Sequence, residues 1–520
     1  MQFSPTSRMV CLSLALLKAL TAATPAPRVS AQAAARFLEQ ASWGPTPATI
    51  ARVQSIGFST YIDEQFAKTP STISDSIADA KGNYSIRPVQ QQFFENASRG
   101  DDQLRQRTVF ALGQVWVVSA IKLKAQAIPP FLRLLQKNAF GNFSTLMGDV
   151  TLSPAMGHYL DMVDNDKPNV KLGKGANENY AREIMQLFTL GLYTLNGDGS
   201  VKKDSAGNPI STYDQDQIEG FARAFTGWTY APLPGVVSHF RNPENWTAPM
   251  VAIEAHHDMD SKLVLSGKTL PAQQSAEVDL QQALDNIFQH PNTGPFICRQ
   301  LIQHLVTSNP SSAYVARVAT VFAGGANSRG DLKAVIKAVL LDPEARKGDS
   351  GTIAVGEGHL REPALFIAGL VRALNGQVAT INSLTDYSNI MGQNMYLPAT
   401  VFNYFLPAYD IGGTTINAPE FQILSSSTAM RRVDFVNSLV YGKIAGLTID
   451  LKTFGGLTSA AVPTSESLLK LVNDALMRGA MSKEMHDTII TAMDAATTPL
   501  AKLETAVYLA AASSEYQVER

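Results

Sequence analysis

Apolar residues recur at helical spacing along most of this 520-residue chain. In DDQLRQRTVFALGQVWVVSAIKLK, for example, they stand at Leu104, Val109, Leu112, Val115 and Trp116. A repeat of three to four residues places such side chains on one side of a helix, where they can pack into a core. The same spacing predicts further helices near 130–150, 177–190, 214–226, 276–289, 294–323, 330–341, 361–374, 418–440, 464–478, 482–495 and 499–513.

Strand patterns are few. The segments MVAIEAHH and KLVLSGKTL flank the turn-forming DMDS and predict one small hairpin near residues 250–270. Strands and helices do not alternate along the chain, which argues against a doubly wound parallel sheet. We therefore predict a mainly α-helical, multi-helix globular protein with a small β-hairpin insertion.

Residues 1–31 are predicted to be a secretory signal peptide. Arg8 precedes the apolar stretch MVCLSLALL, and VSA at 29–31 has the small-x-small pattern that signal peptidase cleaves. A buried N-terminal helix is the alternative, because Lys18 interrupts the apolar stretch. No segment of the sequence has the length of a membrane span. We expect an exported protein, periplasmic or extracellular, that begins near Gln32.

A stretch rich in glycine and charge, ARKGDSGTIAVGEGHLREP, is the best candidate boundary in the remaining chain. It predicts a linker at 346–360. An N-terminal helical region, 32–345, would then carry the hairpin, and a C-terminal helical region, 361–520, would pack on it.

Composition bears on partners and on redox chemistry. The chain has 43 basic and 45 acidic side chains and a formal net charge of -2, without a block of basic residues, so we expect no nucleic-acid partner. Cys298 is the one cysteine outside the predicted signal peptide. It lies in the apolar helical pattern GPFICRQLIQHLV, which indicates a buried thiol and no internal disulfide.

The stretch NENYAREIMQLFTLG, residues 177–191, combines a polar start with an apolar continuation. On a helix, a core-facing stripe would be formed by Tyr180, Ile184, Leu187, Phe188 and Gly191. Asn177 is suited to cap this helix, and Glu178 and Arg182 are four apart and can pair. Glu183 falls at the edge of the apolar stripe, where a carboxylate needs a partner.

A second helix, within YDQDQIEGFARAFTGW at 213–228, offers partners. Glu219 and Arg223 lie on its polar face, again four apart. If the two helices are neighbours, Arg223 can pair with Glu183 and Glu219 can pair with Arg182.

Two interpretations of this polar cluster stay open. It is either a structural ion-pair network or the floor of an active site. Perturbed pKa values would not separate the two, because both arrangements produce them. The active-site interpretation assigns catalysis to Glu183, Glu219 and His257. It assigns substrate binding to Asn179, Arg182, Arg223 and Trp228.

The motif EAHHDMDSK brings two histidines and two aspartates together. Adjacent histidines on a strand point to opposite faces, so His257 and Asp258 form the better pair of ligands for a divalent cation. A polar hairpin tip without metal is the alternative. Upstream, LSPAMGHYLD places His158 and Asp161 three apart, a spacing that would put both on one helical face, with His158 as a general acid or base or as a satisfied histidine.

The quoted motifs resemble those of the bacterial family called domain of unknown function 1800 (DUF1800). NENYAREIMQLFTLG is similar to its signature. Other segments match in order along nearly the whole chain, among them DQLRQRTVFALGQVWVVS, FARAFTGW, HHDMDSKLVLSG and the terminal EYQVER. The resemblance implies an exported protein and supplies no mechanism. Gln186 departs from the pattern, because an acid is common there in the family.

Two classes of function remain. The chain lacks a GxSxG elbow, an HExxH pair, a P-loop and a GxGxxG fingerprint, so serine-hydrolase, zincin and nucleotide-binding functions have no support from motifs. The first class is a secreted hydrolase or lyase acting on a polymer such as a polysaccharide. The second is a non-catalytic extracytoplasmic binding or scaffold protein.

Overall fold

The computed structural model describes residues 29–324, 328–351, 356–379, 382–457 and 463–520. Residues 1–28 of the predicted signal peptide lie outside these ranges, and export remains a prediction. The first described helix begins at Ala31, and the hydroxyl oxygen of Ser30 caps it by accepting a hydrogen bond from the backbone N–H of Ala33 at 3.0 Å.

The chain is mainly α-helical, as predicted. The helices of the N-terminal region are α1 Ala31–Ala41, α2 Pro47–Ile56, α3 Phe58–Phe66, α4 Arg87–Arg99, α5 Gln103–Val115, α6 Ile128–Asn138, α7 Phe143–Thr151, α8 Pro154–Tyr159, α9 Asn179–Glu183, α10 Gln215–Ala224, α11 Ala276–Gln289, α12 Thr293–Leu305, α13 Ser312–Phe322, α14 Leu332–Leu341 and α15 Pro343–Arg346. Those after the predicted linker are α16 Pro363–Ala373, α17 Leu384–Ile390, α18 Ser426–Val440, α19 Leu451–Phe454, α20 Ser465–Leu476, α21 Lys483–Asp494, α22 Pro499–Ala512 and α23 Ser514–Gln517. None of these described helices combines the length and the apolar composition that crossing a bilayer requires.

Strands in the described part of the chain are two residues long and pair antiparallel in twos. They are β1 Ile77–Ala78 with β2 Tyr84–Ser85, β3 Trp228–Thr229 with β4 Val251–Ala252, β5 Lys262–Leu263 with β6 Thr269–Leu270, β7 His359–Leu360 with β10 Val518–Glu519, and β8 Gln377–Val378 with β9 Leu447–Thr448.

The predicted hairpin near 250–270 is present in a different pairing. β5 and β6 form a hairpin at 262–270, whereas β4 pairs with β3 and not with β5. After β4 the chain enters a short 3-10 turn, Glu254–His256, and then two buried residues, His257 and Asp258. Their side chains bind groups on neighbouring helices, so the segment between the two strands is held against the core and is not a solvent-exposed tip.

Apolar side chains form two cores. One lies within the N-terminal region. The other is built from α16 to α23 and also takes in Trp43, Phe94 and Phe110 from the N-terminal region. The Trp43 ring lies 5.0 Å from the Phe110 ring, centroid to centroid. The two predicted regions therefore share a packed boundary.

Charged groups also join the two regions. Glu39 of α1 receives one guanidinium hydrogen bond from Arg361 and another from Arg478, both 2.5 Å long and both buried. The predicted linker is packed where it is described, because residues Lys347–Ser350 form a 3-10 helix and Asp349 pairs with Arg36 at 3.1 Å. Residues 352–355 of that linker lie outside the described ranges.

Cys298 is a free, buried thiol on α12, as predicted. Burial raises the pKa of its thiol, which makes it a poor nucleophile.

Candidate functional site

The polar start of the signature helix is fixed by asparagines. Asn165 accepts a hydrogen bond from the backbone N–H of Asn177 at 2.7 Å and donates to the Asn177 carbonyl at 3.1 Å. The Asn177 side chain then accepts from the backbone N–H of Asn179 at 2.9 Å. Asn177 thus supplies the predicted capping bond, from the position before the N-cap.

Asn179, a predicted substrate-binding residue, is already engaged. Its amide donates to Asp161 at 2.9 Å, and Lys122 binds the other oxygen of that carboxylate at 2.8 Å. The prediction that His158 and Asp161 share a helical face is wrong. Helix α8 ends at Tyr159, and Asp161 has a left-handed backbone with φ of 60°.

The signature helix changes type immediately after Glu183. Residues 179–183 form one α-helical turn, and Ile184–Thr189 form a π-helix. A π-helical turn is rare and occurs often at functional sites. The π-helix ends at Thr189, and Gly191 follows with φ of 77°, a conformation that favours glycine, where a Cβ would crowd the Phe296 ring at 3.0 Å.

Glu183 has no ion-pair partner among the described residues. One of its carboxylate oxygens is buried and accepts no hydrogen bond. Burial raises the pKa of Glu183 above its ordinary value, and the positive charge of Arg182 opposes that rise only in part. The expected pair with Arg223 is absent, because Arg223 binds another carboxylate.

Two tyrosines share the surroundings of Glu183. Burial, reinforced by the negative charge of Glu183, raises the pKa of Tyr159 to about 12. Burial also raises the pKa of Tyr213 to about 12, where Arg182 lowers it and Glu183 raises it. The Tyr213 hydroxyl is buried without a hydrogen-bond partner among the described residues. Glu183 and Tyr213 therefore each have a buried oxygen without a hydrogen-bond partner, and the charge of Glu183 acts on Tyr213, an uncommon arrangement for buried polar atoms.

The remaining charges of the signature helix are paired on its outer side. Arg182 binds Glu178 at 2.8 Å, as predicted. The predicted pair between Arg182 and Glu219 is wrong. Gln215 lies between them, donating to Glu178 at 2.9 Å and to Glu219 at 3.3 Å, and Glu219 is exposed.

Helix α10 positions the second polar group. A Cβ on Gly220 would lie 1.7 Å from the Leu263 carbonyl oxygen, so only glycine allows the helix to pack this closely on β5. From this helix Arg223 binds both carboxylate oxygens of Asp258, at 2.7 and 3.0 Å. Burial works to raise the pKa of Asp258, but the hydrogen bonds from Arg223 and from the backbone N–H of Asp260 outweigh it and lower that pKa.

Behind Asp258 lies a fully buried charge cluster. Lys262 binds Asp279 of α11 at 2.6 Å and approaches Asp258 at 4.0 Å. His257, also fully buried, faces Asp279 through Nε2 at 3.0 Å and the Thr226 carbonyl through Nδ1 at 3.0 Å. Both imidazole nitrogens face oxygen acceptors, and an ammonium group lies between the two carboxylates.

This geometry bears on the predicted cation site at His257 and Asp258. A metal needs an imidazole lone pair directed at it and carboxylate oxygens not already neutralised. In the described ranges, no group of three or more His, Cys, Asp or Glu side chains is arranged to hold a metal ion. Arg223 and Lys262 supply the positive charge that a cation would supply.

The contacts of Trp228 and His158 are with other side chains of the fold. Trp228 is buried in β3 as part of the N-terminal core, so its ring offers no face to a substrate. His158 shares a 2.7 Å hydrogen bond with the Tyr230 hydroxyl and packs edge-on against Trp246. Burial lowers the pKa of His158 below its ordinary value.

Nearly the whole chain is similar to one family of proteins. The family model described as "Protein of unknown function (DUF1800)" matches residues 36–518. The chain belongs to the DUF1800 family. No curated protein and no solved structure gives a match.

Three residues of this DUF1800 protein were missed by sequence reasoning. Asp279 could have been found, because it lies four and eight residues before Ala283 and Ile287 on the buried face of α11. Tyr159 and Tyr213 gave no local signal, since their approach to Glu183 depends on tertiary packing.

Proposed function

We propose that Glu183 is a proton-transfer group of an exported enzyme, a lyase or hydrolase acting on a polymer such as a polysaccharide. The observation that carries this proposal is the buried oxygen of Glu183, which accepts no hydrogen bond and lies at the α-to-π junction of the signature helix. Burying a carboxylate without a partner lowers stability, and ionisable groups with perturbed pKa values cluster at functional sites.

The pKa shift of Glu183 supports the same role. A general base works best when its pKa is close to the working pH, and burial moves the pKa of Glu183 in that direction. Tyr213, whose pKa is raised to about 12, stays protonated at neutral pH and could donate its proton to a leaving group.

The charges around Glu183 favour a lyase over a glycosidase. Glycoside hydrolysis uses two carboxyl groups roughly 5 to 10 Å apart. Among the described residues, the charge that acts on Glu183 is the cation of Arg182 and not a second carboxylate. An elimination needs one base, one acid and a cation near the substrate carboxylate. Glu183 and Tyr213 are suited to the first two roles, and the half-exposed Arg182 would exchange its contact with Glu178 for the substrate carboxylate.

The other predicted site residues take lesser parts in this proposal. Glu219 is exposed on the neighbouring helix and is the predicted second carboxyl if the reaction is hydrolysis. Arg223 is held by Asp258, and His257 and Trp228 are buried, so these three support the fold around the site. A polymeric substrate fits the predicted export, since an exported enzyme can reach large polymers outside the cell.

The test uses Glu183→Gln, which removes the charge and keeps the shape. The wild-type protein is incubated with a panel of polysaccharides, including uronic-acid polymers, and new reducing ends and unsaturated products are measured. We expect Glu183→Gln to lose at least about a hundredfold in rate, the size typical of a general acid or base. Glu277→Gln, exposed in the first turn of α11 and outside the proposed site, is the control and should stay within a few-fold of wild type. Equal activity of Glu183→Gln and wild type would exclude the role.

A non-catalytic binding or scaffold protein is the second candidate. It is favoured by the charge cluster of Arg223, Asp258, Lys262, Asp279 and His257, whose members are already bound to one another. In that case the protein would bind a polysaccharide of the panel without cleaving it, and the Glu183→Gln variant would bind it with the same affinity.

A further inference from the structure

An apolar pocket with a volume of about 100 Å³ lies between helices α4, α5 and α6 and the segment 395–404. Its walls are aromatic and branched aliphatic side chains, among them Phe93, Phe110, Phe131, Leu132 and Leu135. It is lined by none of the residues of the Glu183 site. A ligand bound here would therefore be independent of the function proposed for Glu183.

No charged side chain is among the residues that line this pocket in the described part of the chain. The amides at its edges have their N–H groups committed to the protein. Gln106 donates to Asp102 at 2.8 Å, Gln136 donates to the Ser71 carbonyl at 2.8 Å, and Gln114 donates to Glu362 at 3.0 Å. A ligand therefore meets mainly carbon atoms, and an ionic group would find no counter-charge.

The backbone of the segment that closes the pocket is left-handed at two residues, and at one of them, Tyr396, this conformation is unfavourable. Tyr396 and Asn403 both line the pocket, and both have left-handed backbones, with φ of 67° and 69°. For an aromatic residue such as Tyr396 this is a true outlier. Strain of this kind persists where surrounding contacts impose it, often at ligand sites. Here the contacts are hydrogen bonds from the Ala120 backbone N–H to the Tyr396 carbonyl, at 2.9 Å, and from the Ser119 hydroxyl to the Pro398 carbonyl, at 2.8 Å.

We propose that this pocket is a binding site for an uncharged alkyl or aryl group of about the size of a benzene ring. A dry apolar cavity of about 150 Å³, lined by similar side chains, is large enough to bind benzene or xenon. The present pocket is of the same order, and its mixture of aromatic and aliphatic walls suits a flat or branched hydrocarbon group.

Gly113 of α5 gives a precise test, because it lines the pocket. A Cβ at this position would lie 3.7 Å from a methyl group of Leu135, an ordinary contact, so Gly113→Ala adds a methyl group to the pocket without a clash. Gly148→Ala on α7 is the matched control, since a Cβ there meets nothing within 4 Å and the glycine is also helical.

Benzene binding to the intact protein is measured by titration and by the rise in melting temperature. Xenon under pressure in crystals locates the site. We expect benzene to bind, benzoate to be rejected, and xenon to occupy the pocket. Gly113→Ala should weaken benzene binding about fivefold, because one methyl group takes up the space of part of the ligand, and Gly148→Ala should match wild type.

Three results would overturn the proposal. They are the absence of benzene binding to the wild type, equal affinity in Gly113→Ala and wild type, and xenon located elsewhere. If Gly113→Ala fails to fold, the position of xenon in the wild type decides.

Discussion

The ammonium group of Lys262 lies 2.6 Å from the carboxylate of Asp279, and both side chains are fully buried. These residues come from β5 and α11, so their pairing joins the hairpin to a helix of the N-terminal core. His257 contacts the same carboxylate. The cluster therefore stabilises the contact between the hairpin and α11. The cost of burying its charged groups is offset by their mutual attraction only while all of them are present.

Asp279→Asn should lower stability strongly. The substitution leaves Lys262 buried without its carboxylate, and removal of one member of a buried pair costs on the order of 3 to 5 kcal/mol. Denaturant unfolding measures the change. Asp285→Asn, on the exposed face of the same helix, is the control and should stay within about 0.5 kcal/mol of wild type. A cost equal to the control's would mean that the buried pair contributes nothing.

Glu183→Gln should be neutral or stabilising at neutral pH. Because the folded protein raises the pKa of Glu183 above its ordinary 4.5, ionisation of this group lowers stability. That deficit is absent below pH 4.5 and develops as the pH rises through the folded-state pKa. The melting temperatures of variant and wild type should therefore coincide below pH 4.5, and at higher pH the variant should melt at the higher temperature. A variant that is less stable than wild type at neutral pH would show that Glu183 has a stabilising partner.

Gly220→Ala should destabilise the protein by about 3 kcal/mol or more, since its Cβ would lie 1.7 Å from the Leu263 carbonyl oxygen and overpacking against backbone cannot relax easily. Gly148→Ala, also in a helix, should gain up to about 1 kcal/mol from helix propensity. Thermal melts of the two variants side by side measure the difference. Equal melting temperatures would show that α10 does not pack on β5 this closely.

His359 should make stability fall at alkaline pH. Its imidazole lies between Glu420 and Glu519, at 3.5 and 3.6 Å. Burial works to lower its pKa, but the two carboxylates outweigh burial and raise the pKa from 6.5 to about 10. The stabilisation is complete below pH 6.5 and is lost as the pH rises through about 10. Melting temperatures of wild type should fall over this range more steeply than those of His359→Gln, whereas the control His239→Gln, at an exposed position, should follow wild type. Parallel curves for His359→Gln and wild type would contradict this charge state.

Export predicts a mature N-terminus near Gln32, which mass spectrometry of extracytoplasmic protein from the native host would detect. Cleavage there removes Ser30, whose hydroxyl caps α1, and should cost about 1 kcal/mol relative to a chain that retains it. Finding Met1 in the extracytoplasmic protein would exclude the signal peptide.

The helices could be predicted from the sequence because burial repeats with helical period, and the pair of Glu178 with Arg182 follows from a separation of four residues. The partners of Arg223 and Glu183 could not. The charge pattern of the sequence indicates which groups need partners. Whether Arg223 binds Glu183 or Asp258 depends on how α10 packs against its neighbours. How closely α10 approaches β5 depends on Gly220, which faces the Leu263 carbonyl oxygen. The change to a π-helix after Glu183 also has no signal in residue spacing.

The double contact of Glu39 has a consequence for folding during synthesis. Glu39 is in the first described helix, and Arg478 follows it by 439 positions. The ribosome therefore makes Glu39 early, Arg361 later and Arg478 last, and this carboxylate has both cations only after residue 478 has emerged. We expect fragments truncated before residue 478 to keep α1 packed on the N-terminal core but to leave the Glu39 carboxylate without its second cation, so that this side of α1 is more open to proteolysis than in the complete chain.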